Sequence, residues 1–210
     1  MAGEVNLYHI TAIQNLPGII SSGGLRSKNH CDGTGAAYRS IAYAEIQERR
    51  AARQIPIPPY GLLHDYVPFY FGSRSPMLLA IHRGSVHGAP DQTQIVHLVT
   101  DVARIVRSNR SFVFTDGHAA IAYARYFNNI TSLSEVDLAL MKERYWSDTQ
   151  EDPNRKFRRQ AEFLVHQSLP WTEIKGIGVY SLEQQTTVQE ILRRTQSTQT
   201  PVAVRANYYY

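Results

Sequence analysis

The sequence predicts a single α+β domain. Runs of β-branched and aromatic residues, bounded by glycine and proline, recur along most of the chain, and segments rich in Ala, Glu, Gln and Arg with good helix propensity lie between them. At 210 residues the chain suits one core, and neither an internal repeat nor a Gly/Ser-rich or Pro-rich linker divides it.

Val5 to Ile10 reads as the first strand. Asn15, with Pro17 in the next turn, starts a short helix through Ile19 and Ile20 that Gly23 and Gly24 stop. Ala36 to Gln54 reads as a second helix, ended by Pro56, Pro58 and Pro59. Tyr66 to Phe71, Met77 to His82 and Thr93 to Val99 read as strands punctuated by Gly72, Pro76 and Gly84. Further strands are expected at Phe112 to Phe114, Glu162 to Val165, Ile174 to Tyr180 and Pro201 to Tyr208, with helices near Gly117 to Tyr126 and Leu182 to Thr195. The polar stretch 128–159 reads as an insertion that approaches a substrate.

Composition excludes several classes. With 43% apolar and 19% charged residues the chain is not a disordered tail. Its longest apolar stretch, Met77 to Ile81, is far short of a bilayer span, and Met1 to Ile10 lacks the pattern of a signal peptide, so a cytoplasmic protein without membrane contact is expected. A single cysteine, Cys31, leaves no intrachain disulfide framework and fits a reducing compartment. The net charge of +4 separates nothing by itself, but arginine outnumbers lysine 18 to 4, and the guanidinium fork suits phosphates and base edges.

The marks of several enzyme classes are missing. No Gly-x-Ser-x-Gly elbow, Walker loop or His-Glu-x-x-His pair occurs. The stretch Asp32-Gly33-Thr34-Gly35-Ala36 lacks the third glycine and the parallel-sheet setting of a dinucleotide fingerprint. His82, His87 and His97 lack metal-ligand spacing, so no metal is expected.

What is present is more specific. Tyr8-His9-Ile10-Thr11 places His9 and Thr11 on one face of a strand. Alone this pattern more often marks a hydrogen-bonded core histidine. Together with Asn15-Leu16-Pro17-Gly18-Ile19-Ile20 and Gly24-Leu25, this opening resembles the start of an ADP-ribosyltransferase fold. The block from Leu63 to Leu78, containing Asp65-Tyr66-Val67-Pro68-Phe69-Tyr70-Phe71-Gly72-Ser73-Arg74-Ser75-Pro76-Met77, followed by Arg158-Arg159-Gln160-Ala161-Glu162-Phe163-Leu164-Val165, closely resembles the DarT family, the DNA ADP-ribosyltransferase toxins of DarT/DarG toxin–antitoxin systems.

That resemblance implies mixed and antiparallel central sheets flanked by helices, NAD as co-substrate, and transfer of ADP-ribose to a thymidine base in a short motif of single-stranded DNA. It implies a DarG-type macrodomain antitoxin as partner; a monomer is expected. The chemistry can be matched to residues. Nicotinamide is a good leaving group on an anomeric carbon, so transfer needs NAD held fast, the developing oxocarbenium ion stabilised and the acceptor placed opposite. Glu162 is the candidate carboxylate, against a simple salt bridge to Arg158 or Arg159.

The resemblance also points to an arginine in the helix after Gly35 as a second catalytic group. Arg53 is chosen, with Arg49 and Arg50 left open, against a solvated face of i,i+4 charge pairs. Since guanidinium stays protonated in proteins, its firmer role is electrostatic. Tyr8, His9, Ile10, Thr11, Gly18, Leu25, Tyr43, Arg53, Tyr70 and Phe71 are expected around NAD, although strand aromatics are often core. Arg74, Met77, Arg83, Tyr145, Trp146, Arg155, Arg158 and Arg159 are expected along the DNA, where a cationic path and stacking rings suit a single strand. Rival readings are a transferase acting on another base or on protein, and a module that binds single strands or NAD without turnover.

Overall fold

A computed structural model describes residues 4–210; residues 1–3, where the reading of a chain without a leader begins, lie outside the described residues. The α+β expectation holds. Its centre is an eight-stranded sheet in the order β10-β9-β4-β1-β3-β7-β5-β6, antiparallel throughout except for the β9–β10 pair. β1 (Asn6–Ala12), β3 (Tyr66–Tyr70), β4 (Ile95–Asp101), β5 (Phe112–Thr115), β6 (Tyr126–Phe127), β7 (Glu162–His166), β9 (Gly176–Val179) and β10 (Val202–Val204) make this sheet. β2 (Gly24–Arg26) and β8 (Ser168–Pro170) form a small second sheet.

The sheet consists of two well-paired halves. β1 pairs with β4 over its whole length, from Asn6↔Asp101 to Ala12↔Ile95. β3 pairs with β7 from Tyr66↔His166 to Tyr70↔Glu162. Between the halves, β1 and β3 share a single ladder position, Tyr8↔Tyr70. Pro68 accounts for the break. Its carbonyl oxygen faces β1, where it bonds His9 Nδ1 at 2.9 Å, and its nitrogen faces the same way with no hydrogen to donate. A side chain bridges the halves where the backbone ladder cannot, and beyond it a cleft opens.

One apolar cluster fills the face carrying Leu7, Phe69, Leu98 and Phe163; a second, with Ile10, Leu78, Ile95 and Tyr209, fills the other. α1 (Leu16–Ser21) and α7 (Leu182–Arg194) follow the sequence reading. Three segments do not. Met77 to His82 is helical: α4 (Pro76–His82) starts with Ser75 Oγ accepting from Leu78 N and Pro76 in the first turn, a capping signal that outweighs an apolar run too short to identify itself.

The stretch Ala36 to Gln54 is not one helix. α2 (Lys28–Thr34) ends at Gly35, whose φ of 66° is left-handed, and α3 (Ala44–Ala52) begins only after an irregular crossing of residues 36–43. Gly117 to Tyr126 is a set of turns leading into β6. Gly117 lies against the Phe157 ring, where an added Cβ would come within 2.2 Å. α5 (Val102–Arg107) and α6 (Arg155–Arg158), together with the second sheet, complete the elements that the sequence reading left out.

Candidate active site

The cleft where β1 and β3 part encloses about 440 Å³. His9, Ile10 and Thr11 of β1 line one side, Tyr70 and Glu162 the other, and Tyr43, which precedes α3, with Ile46 and Arg50 of α3, closes over them. Glu162 is 4% exposed, at the first position of β7, and its backbone N–H donates to Thr115 Oγ1 at 3.1 Å. Arg50 Nη1 donates to Glu162 Oε2 at 2.8 Å and to Oε1 at 3.0 Å, and the backbone N–H of Ala119 donates to Oε1 at 3.1 Å. Among the described residues Oε2 has Arg50 as its only partner, so it keeps acceptor capacity toward the cleft.

Three titratable neighbours complete the electrostatics. Burial, reinforced by the Glu162 charge, raises the Tyr70 hydroxyl far above the usual phenol range and keeps it a neutral donor. His118 Nδ1 lies 3.9 Å from Glu162 Oε1 and accepts from the Ala120 N–H at 3.1 Å, which puts the imidazole hydrogen on Nε2. Burial lowers the His118 pKa below 6.5, with the Glu162 charge pulling the other way. His64, 5% exposed, is pushed down to about 4 by burial and by the Arg50 and Lys28 charges, and its Nε2 is sealed without a hydrogen-bond partner among the described residues.

The sequence reading and the geometry meet in part. His9, Ile10, Thr11, Gly18, Leu25, Tyr43 and Tyr70 all line the cleft. Tyr8 instead packs edge-on against Tyr208 beside a separate cavity, and Phe71 is a core residue against Phe163. Arg53 must be corrected. It follows the last residue of α3 as the C-cap, in extended backbone, and its guanidinium reaches Tyr126 Oη and the carbonyls of Ile121 and Ala122, all at 3.3 Å. One turn earlier, Arg50 is the arginine on Glu162, which pairs with neither Arg158 nor Arg159.

The residues assigned to DNA divide as well. Tyr145 is 79% exposed with the Arg144 guanidinium 5.8 Å over its ring, and Arg155 donates to the Tyr145 carbonyl at 2.9 Å. Arg83 is exposed at the end of α4, and Met77 lines the cleft. Arg158 is clamped by Asp137 and, with both ends of its fork, by Asp152. Arg159 and Trp146 are corrections. They are 1% and 8% exposed and the guanidinium lies 5.9 Å over the indole, so neither belongs to an exposed strand-binding face.

His118, Ala119 and His64 escaped the sequence reading. His64 stood inside the specific block and Ala119 contributes only backbone, but a histidine 44 positions before Glu162 could be linked to it only through the β5–β7 pairing.

The family model described as "ssDNA thymidine ADP-ribosyltransferase, DarT" matches residues 8–210. A DNA ADP-ribosyl transferase of Thermus sp. (strain 2.9) is 42% identical over 205 residues, covering 97% of this chain and 95% of that protein. One of Escherichia coli O127:H6 is 32% identical, covering 97% and 93%. The structure of Thermus sp. 2.9 DarT in complex with ADP-ribosylated ssDNA superposes with a TM-score of 0.91 at 40% identity over 98% of this chain and 96% of that one. The same protein in complex with NAD+ gives 0.87 at 37% identity, covering 98% of both. A split-sheet cleft built around a buried carboxylate thus coincides with family resemblance along nearly the whole chain, which belongs to the DarT family of NAD-dependent enzymes that transfer ADP-ribose to thymidine in single-stranded DNA.

Proposed function

We propose that Glu162, Arg50 and His118 perform the transfer in this chain, and that the cleft between β1 and β3 holds NAD with the nicotinamide ribose at Glu162. The observation that carries this reading is the Glu162 carboxylate, buried at the cleft and fixed by Arg50 and the Ala119 N–H. As the bond from the anomeric carbon to nicotinamide breaks, its electron pair leaves with nicotinamide and positive charge builds on the ribose. The carboxylate faces that charge from a fixed position, so no reorganisation is needed at the moment of reaction.

The thymine ring nitrogen then bonds the anomeric carbon and loses its proton to water. Arg50 keeps its own proton and stabilises the negative charge developing on the base. His118 presents Nε2–H as a neutral donor beside the same carboxylate. Because the ring nitrogen is engaged in duplex pairing, an unpaired base is the reactive form. The strand would run over the exposed face carrying Arg155, Tyr145 and Arg144, with Met77 at the cleft and Arg83 exposed just past α4, so that 128–159 acts as the substrate-facing part of a single domain. Among the described residues no helix is long and apolar enough to cross a membrane and no cluster suited to a metal ion occurs. A monomer that works in the cytoplasm and is countered by a DarG-type macrodomain antitoxin completes the proposal.

Incubating the protein with NAD and defined oligonucleotides, then locating the added mass, tests it. Modification of thymidine in wild type and its loss in Glu162→Gln are expected. Wild-type activity that survives in Glu162→Gln would overturn the assignment of the carboxylate.

A further inference from the structure

A second cavity of about 510 Å³ shares no lining residue with the first and lies on the other side of the Tyr8–Tyr70 pairing, toward Asn6 and Phe71. Tyr8, on its wall, stands in register with Tyr70, and Tyr70 with Glu162, so two strand spacings, roughly 10 Å, separate the Tyr8 backbone from that of Glu162. Arg159 and Arg74 both line this cavity. Arg159 is 1% exposed; it donates to the Arg74 carbonyl at 2.8 Å, reaches Met141 Sδ at 3.8 Å, and its Nε has no partner. Arg74 spends Nε on the Tyr209 carbonyl.

Neither guanidinium has a carboxylate within ion-pair distance among the described residues. Two neighbouring like charges, one of them buried, are unfavourable unless something neutralises them. The remaining wall mixes apolar residues such as Phe71 and Leu138 with polar ones: Ser73, Asn6 and Asn207 contribute neutral donors, and Lys142 adds a third cation. Of the two acidic residues present, Glu4 is already bound to Lys175 at 2.6 Å, and Glu143 makes no ion pair among the described residues, which leaves three cations against one free carboxylate.

We propose that this cavity is an oxyanion site that takes a phosphate group. The phosphate comes either from the DNA backbone next to the target thymidine or from free inorganic phosphate. The DNA source rests on the transferase reading above; occupation by free phosphate does not, so the two can fail separately.

The test has two arms, each run on the full chain and on Arg74→Gln, a part-buried position chosen because replacing Arg159 endangers folding. In the first, thermal melting is followed with inorganic phosphate against chloride at equal ionic strength. A saturable rise in wild type that Arg74→Gln flattens assigns the site to phosphate. In the second, oligonucleotides carry one neutral methylphosphonate linkage at successive positions around the target. One position at which KM rises roughly tenfold in wild type, the effect of one charge-assisted hydrogen bond, and barely in Arg74→Gln, assigns it to the backbone. Wild-type melting that follows ionic strength alone, together with KM values insensitive to linkage position, overturns the proposal. Equal responses in wild type and Arg74→Gln do so too.

Discussion

Arg50 Nη1 bonds both carboxylate oxygens of Glu162, at 2.8 and 3.0 Å, across 112 positions of sequence, with both side chains nearly sealed from water. A buried pair of this kind costs most when one member is removed, because the survivor keeps its charge and loses its compensation. Arg50→Gln should therefore destabilise the fold by about 3 kcal/mol, and the double variant Arg50→Gln/Glu162→Gln by less than the sum of the single changes. Urea unfolding of all four proteins measures the coupling. Additive losses would show that the contact contributes no pairwise energy.

Glu162→Gln keeps the shape of the side chain and removes its charge. If the carboxylate acts on the charge that develops at the ribose, kcat should fall by about 10²- to 10³-fold while NAD affinity changes little. Calorimetric NAD binding beside single-turnover rates makes the distinction. A loss of affinity matched by an unchanged rate would move Glu162 from chemistry to ground-state binding.

His118 is neutral near pH 7, with its hydrogen on Nε2, so its contribution is that of a placed donor. His118→Ala should lower kcat by roughly 10²-fold, and His118→Asn, which still offers an N–H, should recover part of it. Equal losses in the two variants would indicate that the ring acts only by packing on the 117–125 turns.

Two other histidines make stability depend on pH. His64 and His97 are each held at about 4 in the fold, mainly by burial, against an ordinary value of 6.5. Between these limits the unfolded chain binds protons that the folded chain refuses. Their contribution is therefore complete above about pH 6.5 and is lost as pH falls toward 4, at up to about 1.4 kcal/mol per pH unit for each group. Urea midpoints at pH 7, 6 and 5 avoid most carboxylate titration, and a flat profile over that range would contradict the assignment.

The sheet was legible in the sequence because its strands carry local signals: aromatic and β-branched runs bounded by glycine and proline. Glu162, which opens one of them, was singled out by the family resemblance, since its residue pattern alone favours a salt bridge with Arg158 or Arg159. The helix at Pro76–His82 was not, because five apolar residues fit either period and the deciding hydrogen bond, Ser75 to Leu78, belongs to the cap. The choice among Arg49, Arg50 and Arg53 was beyond sequence for a different reason. It depends on where α3 stops, and the residue just past the end, Arg53, leaves the face that its helical predecessors share. Arg159 shows the converse. A run of basic residues reads as a polar surface, yet here one of its side chains turns inward beneath Trp146.

Within that run, the arginines should differ in what they contribute to DNA binding. Each phosphate contact on a single strand adds about 0.7 to the slope of log affinity against log salt. Among the described residues Arg155 reaches only the Tyr145 carbonyl and forms no ion pair with a carboxylate, whereas Arg158 is already neutralised by Asp152 and Asp137. Arg155→Gln should flatten the slope by about 0.7 and Arg158→Gln should leave it in place. Tyr145→Ala should weaken binding by about 1–3 kcal/mol at every salt concentration, since a lost stack is not a lost ion contact. Fluorescence titrations of a labelled oligonucleotide from low to high salt read all three. If Arg158→Gln flattened the slope as much as Arg155→Gln, the carboxylate clamp would have to open on the strand, and the surface path through Arg155 and Tyr145 would need to be redrawn.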